Sequence, residues 1–147
     1  TTRFIETGKE ARAFIETGKE GQSKWAGAVA FENQIVFCPL SAKEIMLLDM
    51  PSMTTRFIET GKEGDNKWIG AVAFENQIVF CPHHAKEIML LDMSSMTTRF
   101  IETGKEARAK WLLAAKEGYR KWGGAVAFEN QIVFCPHDTE EIMLLDM

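Results

Sequence analysis

Cysteine, proline and tyrosine are scarce in this 147-residue chain, with three, four and one copies. Three cysteines make no framework of paired half-cystines. An odd number of free thiols suits a reducing compartment, so a cytoplasmic location is expected. Long hydrophobic runs are also missing: Ile142–Leu145 and its equivalents stop at an aspartate, far short of the roughly 18 residues a membrane helix needs. No secretory leader pattern stands at Thr1. Lysine and arginine form no run, and the net charge is −4, so neither nucleic acid nor an acidic membrane is an expected partner. What remains is a chain 46% hydrophobic and 26% charged, a balance that argues against disorder and suits one buried core.

What is present is repetition. The segment GAVAFENQIVFCP occurs three times unchanged, at Gly27–Pro39, Gly70–Pro82 and Gly124–Pro136. A longer unit surrounds it, from TTRFIETGKE through KW-x-GAV to EIMLLDM. Trp25 and Trp68 lie 43 residues apart, whereas Trp68 and Trp122 lie 54 apart. The repeats span 1–50, 54–93 and 97–147, with additions at 11–20 in the first and about 107–117 in the third. Both additions fall between the TG of RFIETG and the KW. The first is itself a duplicate, because Arg3–Glu10 is followed by the near-copy Ala13–Glu20. Fixed-period self-similarity of this kind marks an array of one supersecondary unit.

The middle copy reads as four short strands. Trp68–Phe74 is apolar on both alternating faces, as expected of a strand between layers. Glu75–Gln77 is a polar turn, Ile78–Cys81 a β-branched and aromatic strand, and Pro82 ends its ladder. Glu87–Asp92 is a third strand. Helix competes for that run, since Met and Leu are good helix formers, but it is short and bounded by turn signals. Thr97–Thr103 is the fourth, with Arg99 and Glu102 suiting a half-exposed edge. A β-sandwich of about a dozen strands is the plainer alternative.

Through KW-x-GAV, IVF-C-P and EIMLLD the unit resembles the blades of β-propeller proteins, most of all recently amplified propeller repeats. It lacks the Trp-Asp ending of WD repeats and the paired glycines of kelch repeats, apart from Gly123-Gly124. The resemblance implies an all-β fold: a β-propeller array of three near-identical four-stranded blades. In it the inner strand needs small residues near the axis, which Gly70-Ala71-Val72-Ala73 supplies, and Trp25, Trp68 and Trp122 anchor equivalent blade interfaces. Propellers close with roughly four to eight blades, so three blades imply half of a six-bladed ring. The expected partner is a second copy, in a head-to-tail homodimer. Its N-terminal strand Thr1–Thr7, with Phe4 and Ile5, would complete the last blade of the other chain. A piece of a longer array is the alternative.

Chemistry has few candidates. The loops after the second strand read Cys38-Pro39-Leu40-Ser41, Cys81-Pro82-His83-His84 and Cys135-Pro136-His137-Asp138. Cys and His close together suit zinc or copper, yet no second cysteine stands at metal-motif spacing and the first loop has no histidine. No metal and no cofactor are therefore expected. Thiolate catalysis lacks an orienting third group, and no catalytic residue is assigned. Asp49, Asp92 and Asp146 end third strands and fit turn-capping roles. The third-repeat addition, Lys105–Trp122, is rich in helix formers, with Trp111, Leu112 and Ala115 at helical spacing. The expectation is a non-enzymatic, self-assembling scaffold whose rim, carrying Cys38, Cys81, His83, His84, Cys135 and His137, binds a ligand or protein. The alternative is a metal- or thiol-dependent enzyme using that rim.

Overall fold

The computed structural model describes residues 4–7, 10–13, 15–103 and 122–147, the first two segments through their strand pairing alone. Among these residues every regular element is a β-strand. The strands are β1 (Phe4–Thr7), β2 (Glu10–Ala13), β3 (Trp25–Phe31), β4 (Gln34–Pro39), β5 (Glu44–Asp49) and β6 (Thr54–Glu59). They continue as β7 (Trp68–Phe74), β8 (Gln77–Pro82), β9 (Glu87–Asp92), β10 (Thr97–Glu102), β11 (Trp122–Phe128), β12 (Gln131–Pro136) and β13 (Met143–Asp146). Beside the two-stranded sheet β1-β2 stand three larger antiparallel sheets: β3-β4-β5-β6 is blade 1, β7-β8-β9-β10 is blade 2 and β11-β12-β13 is blade 3. The run EIMLLD is strand in blades 1 and 2, as its bounding turns require. No helix among the described residues is long and apolar enough to cross a membrane.

Each blade is a meander because its turns are short and its apolar residues alternate. Phe74 pairs with Gln77 across the Glu75-Asn76 turn, so Gln77 belongs to the strand rather than the turn. In the inner strands the register shifts between Trp and Ala: Trp68 faces Pro82, but Ala71 faces Phe80. Ile69 and Gly70 thus oppose Cys81 alone, a β-bulge at the glycine. The same shift occurs at Trp25/Ala28 and Trp122/Ala125.

Side chains of successive residues go to opposite faces of a blade, and both faces of blade 2 are buried. One cluster joins Val36, Cys38, Ile45 and Leu47 of blade 1 to Trp68, Ile78, Phe80, Met89 and Leu91 of blade 2. The other joins Val79, Cys81, Ile88 and Leu90 of blade 2 to Trp122, Ile132 and Phe134 of blade 3. The three blades stack face to face, inner strand beside inner strand.

The chain's two ends depart from expectation. Thr1–Thr7 was expected to serve alone as an outer strand, but β1 is already paired with β2, Phe4 opposite Ala13 and Thr7 opposite Glu10. Sequence proximity supplies the reason: Glu10–Ala13 follows after two residues and is the nearest antiparallel partner. At the other end the closing strand begins at Met143 rather than Glu141. In blade 1 the equivalents Glu44 and Ile45 are laddered only to the fourth strand, opposite Glu59 and Ile58. Blade 3 has no fourth strand among the described residues, so the ladder that extends the closing strand of blade 1 to Glu44 is not formed at its equivalent, Glu141. The expected helical addition at about 107–117 lies outside the described residues.

Candidate functional site

The inner strands meet at their glycines. Gly27 and Gly70 have φ of 87° and 76°, backbone that L side chains rarely adopt. A Cβ on Gly27 would lie 2.9 Å from the Gly70 Cα, and one on Gly70 would lie 3.7 Å from the Gly124 Cα. Positive φ at the bulge favours glycine at both positions, and close approach adds to it at Gly27.

The three cysteines stand at one register position with different surroundings. Cys38 and Cys81 are buried and Cys135 is exposed. The Cys81 thiol donates to the Gly124 carbonyl, 3.4 Å away in the next blade, and Cys38 lies beside the Gly70 backbone at the equivalent joint. Burial raises the Cys38 thiol well above its ordinary pKa, with nearby Cys81 adding to the effect. Burial likewise pushes Cys81 up to about 12, partly offset by the Gly124 backbone. Such thiols stay protonated at neutral pH and are poor nucleophiles and metal ligands. A neutral thiol reagent applied to dilute native protein should therefore label one cysteine per chain, Cys135, as peptide mass mapping would show. Comparable labelling of Cys38 or Cys81 would refute the blade-to-blade contact.

The histidines gather where blade 2 meets blade 3. His83 is buried, and its Nδ1 lies 3.0 Å from the Trp122 carbonyl oxygen. Its ring stacks on His84 at 5.1 Å and meets His137 edge-on at 6.4 Å. His137 in turn lies 3.2 Å from an Asp138 carboxylate oxygen. Cys38 and its loop stand apart from this group, in the joint between blades 1 and 2. Among the described residues no group of three or more His, Cys, Asp or Glu is arranged to hold a metal ion.

Trp68 and Trp122 are buried in the two joints, whereas Trp25, on the outer face of blade 1, is half-buried. Each of these indoles donates from Nε1 within its own blade, Trp25 to the Glu44 carbonyl, Trp68 to that of Glu87 and Trp122 to that of Glu141. Asp92 accepts from the Ser94 and Ser95 amides, and Asp49 from Ser52, which holds their carboxyls below the ordinary range.

Several contributors escaped the sequence reading. Thr60 and Thr103 are buried, and each hydroxyl donates to a lysine carbonyl at the start of its blade's third strand, Lys43 and Lys86. Lys19 and Lys62 each bridge to a third-strand glutamate, Glu44 at 3.0 Å and Glu87 at 2.8 Å. They lie 4.5 and 4.6 Å over the rings of Phe57 and Phe100. The signal was there in TGKE, whose lysine stands at the same distance before Trp25 as before Trp68. Above Trp25 and Trp68 these loops frame clefts: about 320 Å³ beside Lys19, Trp25 and Glu44, and about 350 Å³ beside Lys62, Trp68 and Glu87. The inter-blade loop and the Cys-Pro loop share this rim, since His83 and His84 amides donate to the Lys67 and Asn66 carbonyls.

No family model matches the sequence, and no curated protein matches it. Among solved structures, it is similar to a chain of the crystal structure of a nidogen/laminin complex, at a TM-score of 0.63 and 11% identity. That match covers 95% of this chain and 48% of the other, which belongs to a propeller-containing protein. The likeness extends to the fold, which is all-β and β-propeller-like with repeated blades.

Proposed function

We propose that the chain is a non-enzymatic scaffold, half of a six-bladed propeller completed by a second copy, with its rim offered to a ligand or protein. One observation carries this reading. Blade 2, with a neighbour on each side, buries both faces, whereas blade 3 leaves Val126, Phe128, Ile142 and Leu144 between 56% and 65% exposed. A contiguous apolar face of this kind marks an interaction surface. Its neighbour Cys135 is exposed for the same reason. The 48% coverage of a propeller-containing chain fits half of a ring. The protonated buried thiols favour a structural role for Cys38 and Cys81 over catalysis, and the repeated rim clefts offer lysine, glutamate and indole edges to a bound partner.

Light scattering on a sizing column tests the assembly directly. The expected native mass is twice the chain's 16.6 kDa. A monomer that persists at high protein concentration would overturn self-assembly.

A further inference from the structure

The two outer faces of the three-blade stack are copies of two faces that mate inside it. Val126, Phe128, Val133, Cys135, Ile142 and Leu144 on blade 3 repeat Val72, Phe74, Val79, Cys81, Ile88 and Leu90 on blade 2, residue for residue. On blade 2 that set packs against blade 3, with Ile88 and Leu90 at 2% and 1% exposure. At the other end Trp25, Ile35, Phe37, Leu48 and Met50 on blade 1 repeat Trp68, Ile78, Phe80, Leu91 and Met93 on blade 2, the set that packs against blade 1. Met93 is 6% exposed in its joint and Met50 is 40% exposed without one. The face of blade 3 is therefore complementary to the face of blade 1, not to itself.

From this we infer that the outer face of blade 3 receives the outer face of blade 1 of a second copy, in the register of the internal joints. This inference rests on the self-assembly reading and specifies its geometry. In that register the Cys135 thiol donates to the carbonyl of the partner's Gly27, as Cys81 does to Gly124. Gly27 then stacks beside the partner's Gly124, continuing the line of glycines. The loop from Thr17 to Trp25 is already shaped for the role. Its Gly18, Gly21 and Ser23 have φ of 71°, 108° and 49°, against 71°, 111° and 53° at Gly61, Gly64 and Asn66. In the internal joint that loop donates from the Lys67 amide to the Leu40 carbonyl of the preceding blade at 2.7 Å. Lys24 takes the same place against the partner's His137. The second copy of the RFIETG motif, not the first, thus stands at the spacing of an outer strand for the partner's blade 3. The contact is heterologous, and a two-chain ring uses it twice.

Two single substitutions and their mixture test the joint. Leu144→Glu poisons the blade 3 face and Leu48→Glu the blade 1 face. With wild type at twice the chain mass, each variant alone should elute at the chain mass, because both joints of its ring carry the charge. An equimolar mixture should recover a species of twice the chain mass, since one of its two joints is unaltered. Cys135 should in parallel lose thiol reactivity as wild-type concentration rises, and keep it in either variant alone. If one variant alone remains dimeric, the contact is face to itself, and the head-to-tail joint is overturned while self-assembly stands. Failure of the mixture to recover the dimer also overturns the joint. A monomeric wild type overturns self-assembly itself. Ile142→Glu and Met50→Glu, at 63% and 40% exposed positions, replace any variant that loses its far-UV circular dichroism.

Discussion

Trp68→Ala is expected to lower the unfolding free energy by about 3–5 kcal/mol, in the range found for large aromatic truncations in cores. The indole is 1% exposed and lies in the cluster that joins blades 1 and 2. Its ring also packs against Phe100 at 6.2 Å, and its Nε1 satisfies the Glu87 carbonyl. Truncation opens a cavity between two blades and leaves that carbonyl without its donor. The same change at Trp25, which is half-buried, should cost the dilute chain only about 1–2 kcal/mol, the scale of partial apolar burial. Urea midpoints measured at low protein concentration check the pair. Equal losses at Trp25 and Trp68 would mean that the outer face of blade 1 is already covered within one chain.

Gly27→Ala is expected to cost roughly 2–4 kcal/mol, combining positive-φ strain with overpacking. The added methyl meets the Gly70 Cα at 2.9 Å, and a backbone atom cannot turn aside as a side chain can. Gly70→Ala makes a useful contrast. Its φ is comparably positive, but its nearest neighbour, the Gly124 Cα, is at an ordinary 3.7 Å. Only the conformational part remains, about 1 kcal/mol. Urea midpoints of the two variants should rank Gly27→Ala well below Gly70→Ala. The reverse order would place the tight approach of inner strands elsewhere in the stack.

Most of the fold was legible because the same unit is written three times. The alternation in WIGAVAF and IVFC named strands with two apolar faces, and blade 2 buries both. Pro82 marked a strand end and lies at one. The candidate site was less legible. Cys38, Cys81 and Cys135 are identical in sequence context through the following proline, yet two are buried and one is exposed. Nothing within thirteen identical residues can distinguish them; the difference is whether a further blade covers the face. The closeness of His83 and His137 depended on the stacking of blades 2 and 3, since the residues are far apart in sequence and belong to separate loops. The N-terminus was legible only in part: Thr1–Thr7 carries an outer-strand motif, yet its Phe4–Thr7 stretch pairs with the Glu10–Ala13 run that follows it, a partner the repeat pattern does not name.

By itself the sequence determined the repeat unit, its strands and their succession along the chain, because periodicity, β-branching and turn residues act over a few neighbours. Tertiary structure alone decided which copies of identical side chains are buried, which thiols are held protonated, and how three histidines meet at one joint. Burial depends on what lies across a face, and in a stack of equal blades that is set by position in the stack rather than by the residues themselves.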